Sequence, residues 1–404
     1  MALRAGDRLA RAGQRALAPG NEFPAQRLLS RALALTRPFR LDVGLEFDLA
    51  VAYHIDEPLR AAAMCDDAAE RARVEGDEPG EALARVGAEL HRLFVVQEPD
   101  VDRFEALALD AIRRLEAVGD QGGLSQVWVA LGYGVANSRG RMGDWADAAK
   151  QAIRHAQSAG RWAGDEYGLT SALIAGPVPA DDALRELDEL VPGLSHPLYL
   201  LKRALLLAML ARFDEAWPLA VSSSERLAEF GGLRGRVWLA DISAVAGDYD
   251  AAARYGEQAV DVFREQRHLA FQASYGGRLG RWLCMLGRFE EAEPLAQLGR
   301  TVAVQEADWL WRQVQARVHA HRGEHEAAER LAREAIAIVE QTDILNMQGD
   351  AYCDLAEVLA AAERSEESAW ALGQALERYE HKKNLAMVAQ TKPKLEQLRK
   401  AAPT

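Results

Sequence analysis

Residues 247–252 read Gly-Asp-Tyr-Asp-Ala-Ala, and the phrase returns as Gly287-Arg-Phe-Glu-Glu-Ala292 and Gly323-Glu-His-Glu-Ala-Ala328. A fourth copy reads Gly143-Asp-Trp-Ala-Asp-Ala148, and Ala211-Arg-Phe-Asp-Glu-Ala216 lacks only the leading Gly. The order of residue types describes a helical hairpin. Gly closes one helix because it tolerates φ > 0 just past the cap. A polar residue opens the next helix, an aromatic fills the gap between the two, and Ala marks a close crossing. Around each phrase apolar residues recur at i, i+3, i+4 and i+7, as in Leu331, Ala335, Ile338 and Val339.

Looser copies extend the series in both directions. The third position of each phrase, or its equivalent, falls at 22, 59, 104, 145, 180, 213, 249, 289, 325 and 365, a mean period of about 38 residues. No alternating apolar pattern persists, and Ala, Leu, Arg and Glu, all good helix formers, dominate. The expectation is an all-α solenoid of about ten helix pairs occupying residues 1–404. Within it, 1–40 is a basic arm with the first repeat, 41–180 holds degenerate repeats and 181–380 better-formed ones. Residues 381–404 form a capping helix and tail.

Composition narrows the function. The 404 residues are 49% hydrophobic and 27% charged, with a net charge of −13. Charge is unevenly placed: residues 1–40 hold eight Arg against Asp7 and Glu22, and 381–404 hold six Lys or Arg against Glu396. The segment between them is strongly acidic, which disfavours a nucleic-acid binder. No apolar run is long enough to span a bilayer, and the Arg-studded N-terminus lacks the apolar core of a secretory signal. Three scattered cysteines (Cys65, Cys284, Cys353) fit neither a disulfide framework nor a zinc site. A cytoplasmic protein is expected.

Catalytic motifs are missing. No Gly-Lys dipeptide exists for a Walker loop. Gly132-x-Gly134 lacks a third glycine and reads as close helix packing. His325-Glu326-Ala-Ala-Glu329 lacks the second His of a zinc hydrolase, and Gly323 breaks the face that His319 and His321 would share with His325. No Gly-x-Ser-x-Gly elbow is present. The expectation is a chain that is not an enzyme and needs no metal or cofactor.

A solenoid offers instead a concave groove lined by the first helix of each pair. Counting eight residues back from each turn gives the column Leu205, Asp241, Arg281, Arg317 and Glu357, with Gln313 and Asp350 nearby. Arg281 and Arg317, on adjacent repeats, suit an anionic ligand group in fork geometry. The alternative is an internal ladder in which they pair with Asp241 and Glu357. Trp309 and Trp311 cannot share a helix face, so one is expected to be partly exposed as a partner anchor. The segment 195–220 is apolar nearly all round, which suggests a helix buried on both sides.

These words resemble the tetratricopeptide repeat family. Leu then a small residue precedes the turn at Leu239-Ala240, Leu279-Gly280 and Leu355-Ala356. Ala pairs seven apart follow it at Ala252/Ala259 and Ala328/Ala335. A closer resemblance rests on residues 12–36 and 329–390, above all Thr342-Asp343-x-Leu345-Asn346 and Tyr379-Glu380-x-Lys382-x-Asn384. These are similar to the C-terminal tetratricopeptide tail of bacterial, actinobacterial-type regulators that carry adenylate or guanylate cyclase and signal-transduction ATPase domains. Neither domain occurs in these residues. The use of 41 Arg against seven Lys agrees with such a high-GC source.

The resemblance implies a right-handed superhelix acting as a protein-interaction and signalling module. Its groove would hold a peptide segment or effector, and a cyclase or ATPase module would be a partner. A small-molecule sensor with its pocket inside the superhelix, and an oligomeric scaffold contacting through the basic arm, are the alternatives.

Overall fold

The computed structural model describes the chain apart from residues 18–21, 55–56, 96–98, 162–164, 194, 230–234, 266–267, 303 and 402–404. The described residues form twenty-one helices and no strand. They follow one another in pairs. α1 (Ala2–Arg15) precedes α2 (Glu22–Thr36), α3 (Val43–Tyr53) precedes α4 (Pro58–Glu75), and α5 (Glu78–Leu93) precedes α6 (Val101–Val118). α7 (Gln121–Leu131), prolonged by a π-helical turn at Gly132–Ala136, precedes α8 (Met142–Ser158), and α9 (Glu166–Ala175) precedes α10 (Ala180–Leu190). Then come α11 (Pro197–Met209) and α12 (Phe213–Glu229), α13 (Gly235–Val245) and α14 (Tyr249–Glu265), and α15 (Leu269–Met285) and α16 (Phe289–Thr301). α17 (Gln305–His321) and α18 (His325–Val339), α19 (Leu345–Ala361) and α20 (Ser365–Lys382), and a last helix α21 (Leu385–Ala401) complete the order.

The chain divides into two compact units, Met1–Ala172 and Leu173–Thr404, with the break inside α9. In each, first helices pack on their own second helices and also on one another: α3, α5 and α7 in the first unit, α15, α17 and α19 in the second. That double adjacency, repeated hairpin by hairpin, makes this a tetratricopeptide-like α-solenoid. No helix is long and apolar enough to cross a membrane among the described residues.

The turns explain the repeat. Gly247, Gly287 and Gly323 sit at φ 81°, 75° and 78°, and the next N–H bonds back into the helix, as Arg288 does to Leu283 O at 2.8 Å. Ala211 and Glu363 take the same left-handed conformation without being Gly, at φ 58° and 62°, and the same bond forms from Arg212 to Leu207 and from Arg364 to Leu359. The turn geometry is therefore imposed by packing where the sequence does not favour it. The second helices start at the expected turn positions from 180 onwards. At 143–148 the phrase is displaced: the left-handed residue is Gly140, Gly143 lies inside α8, and Trp145 is one turn further in. Trp145 fills the space that Gly132 leaves open, where a Cβ would come within 2.6 Å of the indole. At the first expected position, 22, α2 begins, and the residues just before it lie outside those described.

The cores are built of small residues that allow close crossings. Ala328, Ala332 and Ala335 of α18 and Ala371 and Ala375 of α20 are buried with Leu355, Leu359 and Tyr379. The apolar helix α11 is enclosed along nearly its whole length, including Lys202.

Candidate functional site

In the first unit a cleft of about 700 Å³ opens between α1 and the first turns of α3, α5 and α7. Each of the latter three helices begins with an Asp that caps it. Asp42 Oδ1 accepts the Leu45 N–H at 3.1 Å, Asp77 Oδ1 that of Gly80 at 3.0 Å, and Asp120 Oδ1 that of Gly123 at 3.0 Å. Gly76 and Gly119, both at positive φ, end the preceding helices and turn the chain into two of these caps. The result is three helix N-termini in a row, with Gly44, Gly80, Gly122 and Gly123 among the residues that line the cleft. The caps use the N–H groups of Leu45, Gly80 and Gly123. The first-turn N–H groups of Val43, Gly44 and Gly122, which also line the cleft, have no partner within their own helix and are the donors this wall offers.

The floor is formed by Gln14, Gln126 and Arg161, which hold a buried carboxylate beneath it. Asp48 of α3 is 4% exposed and accepts from three side chains. Gln14 Nε2 of α1 approaches at 2.7 Å, Gln126 Nε2 of α7 at 2.6 Å, and Arg161 Nη2 at 2.6 and 2.8 Å. Gln126 Nε2 also donates to Gly44 O at 2.7 Å. These bonds leave the Gln126 carbonyl oxygen buried with no partner among the described residues. A buried amide oxygen left unpaired carries a desolvation cost of about 1–3 kcal/mol, which a donor reaching it from the cleft would relieve.

Arg40 spans Asp7 at 2.9 Å and Asp42 at 2.8 Å, whereas Arg11 at the cleft edge is exposed. The lining thus alternates donors and acceptors: Arg11, Arg161 and helix N–H groups on one hand, the Gln126 oxygen and Asp carboxylates on the other. Asp48 is saturated by its donors, and the arrangement sets no base beside a nucleophile.

The residues singled out from the sequence lie in the second unit, and of them only Arg281 and Asp350 are bonded to each other among the described residues. Arg281 donates through Nη1 to Asp350 at 2.8 Å and through Nε to Asp354 at 2.7 Å. Arg317 Nη1 reaches the other Asp354 oxygen at 3.0 Å, and the Tyr379 hydroxyl donates to Asp350 at 2.7 Å. The two carboxylates hold the Arg281 guanidinium well above its ordinary value against the opposing effect of burial.

Asp241 instead pairs with Arg278 at 2.9 Å, and Arg278 also binds Glu306 at 2.5 Å. Burial pushes the Asp241 carboxyl up, and Arg278 partly offsets this. Glu357 meets Lys394 of α21 at 3.0 Å. The two arginines are therefore internally paired, but with Asp350 and Asp354 rather than with Asp241 and Glu357.

Gln313 is 1% exposed with both amide atoms unpartnered among the described residues, and the Trp309 indole N–H one turn earlier is likewise buried and unpaired. Trp311 is half-buried, donates to Asp308 at 3.2 Å and carries Arg312 over its ring at 4.4 Å.

The remaining reactive groups are engaged or inert. His319 bonds Glu324, His321 stacks on Phe289 at 4.1 Å, and His325 is exposed. Among the described residues no group of three His, Cys, Asp or Glu side chains is placed to hold a metal. Burial, the largest influence on each, pushes the Cys65, Cys284 and Cys353 thiols up to about 12.

The cleft residues are not among those the sequence pattern picks out, although a signal exists. Gly76-Asp77-Glu-Pro-Gly80 and Gly119-Asp120-Gln-Gly-Gly123 are the same word, placed at the turns between pairs rather than within them.

Among known proteins, no family model matches the chain and no curated protein does. Several solved structures align over most of its length. Cut9 in the APC/C hetero-tetramer Cut9–Hcn1 is 13% identical, covers 92% of this chain and 87% of its own, and gives a TM-score of 0.46. A Rap protein complexed with competence and sporulation factor is 11% identical, with coverages of 88% and 99% and a TM-score of 0.47. Yeast Tom70 is 12% identical, with coverages of 97% and 90% and a TM-score of 0.38.

Proposed function

We propose that this chain is a non-catalytic interaction module whose receptive surface is the cleft of the Met1–Ala172 unit. The buried, unpartnered Gln126 oxygen at the foot of that cleft is the observation that carries the reading. A bound segment would donate a hydrogen bond to it while accepting from Arg161, Arg11 and the first-turn N–H groups of α3 and α7. An extended peptide backbone presents donors and acceptors in that alternation. The Arg281–Asp354–Arg317 cluster is assigned to holding the second unit together rather than to anion capture. Coupling to a cyclase or ATPase module in a bacterial cytoplasm belongs to the same proposal and is supported by the sequence resemblance alone.

A second reading, a small-molecule effector site, is favoured by one observation: about 700 Å³ lies within the usual range of small-ligand pockets. One experiment addresses both. Gly122 has room for a side chain, because a Cβ there would stand 3.4 Å or more from its nearest neighbours. Gly122→Phe therefore fills the cleft without disturbing the core. Peptides selected from a displayed library on the wild-type chain should lose binding to this variant. A metabolite panel read by thermal shift tests the second reading on the same pair. Ligands that bind both proteins equally would refute the assignment of the cleft.

A further inference from the structure

The first helix carries a second surface, separate from the cleft floor. Arg4, Arg8, Arg11 and Arg15 are all exposed. At 100° per residue they fall within about 60° of one another and run for about 16 Å along α1. The opposite face of α1 is its contact with α2. There a Cβ on Gly13 would come within 2.6 Å of Leu29, and one on Gly6 within 2.6 Å of Thr36. The arginine stripe therefore faces away from α2, with Arg11 at the margin it shares with the cleft.

Its charges are unspent. None of the four forms an ion pair among the described residues, and neither do Arg27 and Arg31 on α2. The next arginines along the chain behave differently: Arg37, Arg40, Arg60, Arg71, Arg73 and Arg85 each engage a carboxylate. Arg103, Arg154, Arg226, Arg254 and Arg330 also lack an ion pair among the described residues, but each is the single unpaired arginine of its helix, whereas α1 carries four on one face.

We infer that the outer face of α1 is a docking surface for an acidic helix of a partner protein, one whose carboxylates repeat every three to four residues. Such a helix places carboxylates about 6 Å apart, the spacing of the arginines it would meet. The planar guanidinium suits them in bidentate geometry. Exposed Ala5 and Ala12 flank the stripe and permit close approach of a second helix.

Two other polyanions fit less well. A bilayer needs long apolar or aromatic side chains interleaved with the basic ones, and none stands within the stripe. A nucleic acid extends its charge well beyond α1 and meets the acidic remainder of this chain, while no aromatic stands on the stripe to stack a base.

The test uses the full-length chain and a labelled alanine-based helical peptide with four glutamates on one face, read by fluorescence anisotropy. Wild type should bind it, with affinity falling roughly tenfold between about 50 and about 300 mM NaCl as exposed charge is screened. Arg4→Glu/Arg8→Glu/Arg15→Glu, which spares Arg11 at the cleft edge, should abolish binding while keeping the wild-type melting temperature. Arg4→Gln/Arg8→Gln/Arg15→Gln serves if the reversal variant misfolds, with the same expected loss.

A peptide of equal composition with its glutamates scattered round the helix should bind several-fold more weakly. Equal binding by wild type and variant, or equal binding of the two peptides, would overturn the inference. So would tighter binding to a DNA duplex or to phosphatidylserine vesicles than to the patterned peptide.

Discussion

Arg281 on α15 donates through Nε to Oδ2 of Asp354 on α19 at 2.7 Å, reaching past the intervening first helix α17. Gln126 on α7 does the same in the first unit, bonding Asp48 on α3 across α5. In both units, therefore, the inner surface is curved enough for first helices two pairs apart to touch. In one case the contact closes the surface with charge; in the other it leaves a cleft above it.

The Arg281–Asp354 pair predicts a stability effect. Asp354 is fully buried and holds two guanidinium groups. Asp354→Ala strands Arg317, leaves Arg281 with Asp350 alone, and should cost about 3–5 kcal/mol, the usual penalty for breaking a buried pair from one side. Arg281→Met combined with Asp354→Leu should cost much less than the sum of the single changes. Urea unfolding of the four proteins checks it, and additivity of the single variants would argue against a coupled cluster.

Ala211 predicts the opposite sign. It sits at φ 58°, where an L-residue with a Cβ is strained by about 1 kcal/mol. Ala211→Gly should raise stability by an amount approaching that strain, less the entropy Gly gains in the unfolded chain. Gly287→Ala, at φ 75° in the equivalent turn, should lower it. Thermal denaturation of both variants is the measurement.

Lys382 predicts a pH dependence. Its ammonium is enclosed, with Nζ donating to Leu173 O and Val178 O at 2.7 Å each. Burial pushes it down to about 7, against an upward pull from Asp343. Between pH 7 and the ordinary lysine value the unfolded chain holds a proton that the native chain has released. Stability therefore rises with pH across that window, by at most about 1.4 kcal/mol per pH unit from this group. Lys382→Met should remove the rise, as measured by denaturant titrations at pH 7, 8 and 9.

A histidine pair governs the acid side. The Nδ1 atoms of His54 and His91 stand 2.8 Å apart, so one ring donates to the other. Burial lowers His54 to about 4 and His91 to about 3, with repulsion from His54 adding to the effect on His91. The contribution is complete above the ordinary histidine value and is lost as the pH falls towards 3. His91→Leu should flatten that acid limb of the stability curve, followed by denaturant titrations between pH 3 and pH 7.

The hairpins were legible in the sequence because a turn is a local event. Gly, a polar starter, an aromatic and a close-packed Ala lie within six residues, so a repeating word reports them. The word misplaces the turn near Trp145 because Gly140 and Gly143 offer two registers and only packing against Gly132 selects one. The Asp caps at 77 and 120 are equally local, but they occupy the turns between pairs, away from the repeating phrase. What no local pattern could supply is the pairing of Arg281 with Asp354, or of Gln126 with Asp48, separated by 73 and 78 positions. Which repeats meet across the inner surface depends on curvature, and curvature is the sum of many small helix rotations.

If the first unit receives a ligand between its helix N-termini, the backbone there must be protected on binding. Amide hydrogen exchange on the wild-type chain, with and without a peptide selected on it, tests this most directly. The prediction is slowed exchange at the first turns of α3, α5 and α7, around residues 43–45, 78–81 and 121–124, and none of it in Gly122→Phe. Slowing confined to α15, α17 and α19, around Arg281 and Arg317, would contradict it.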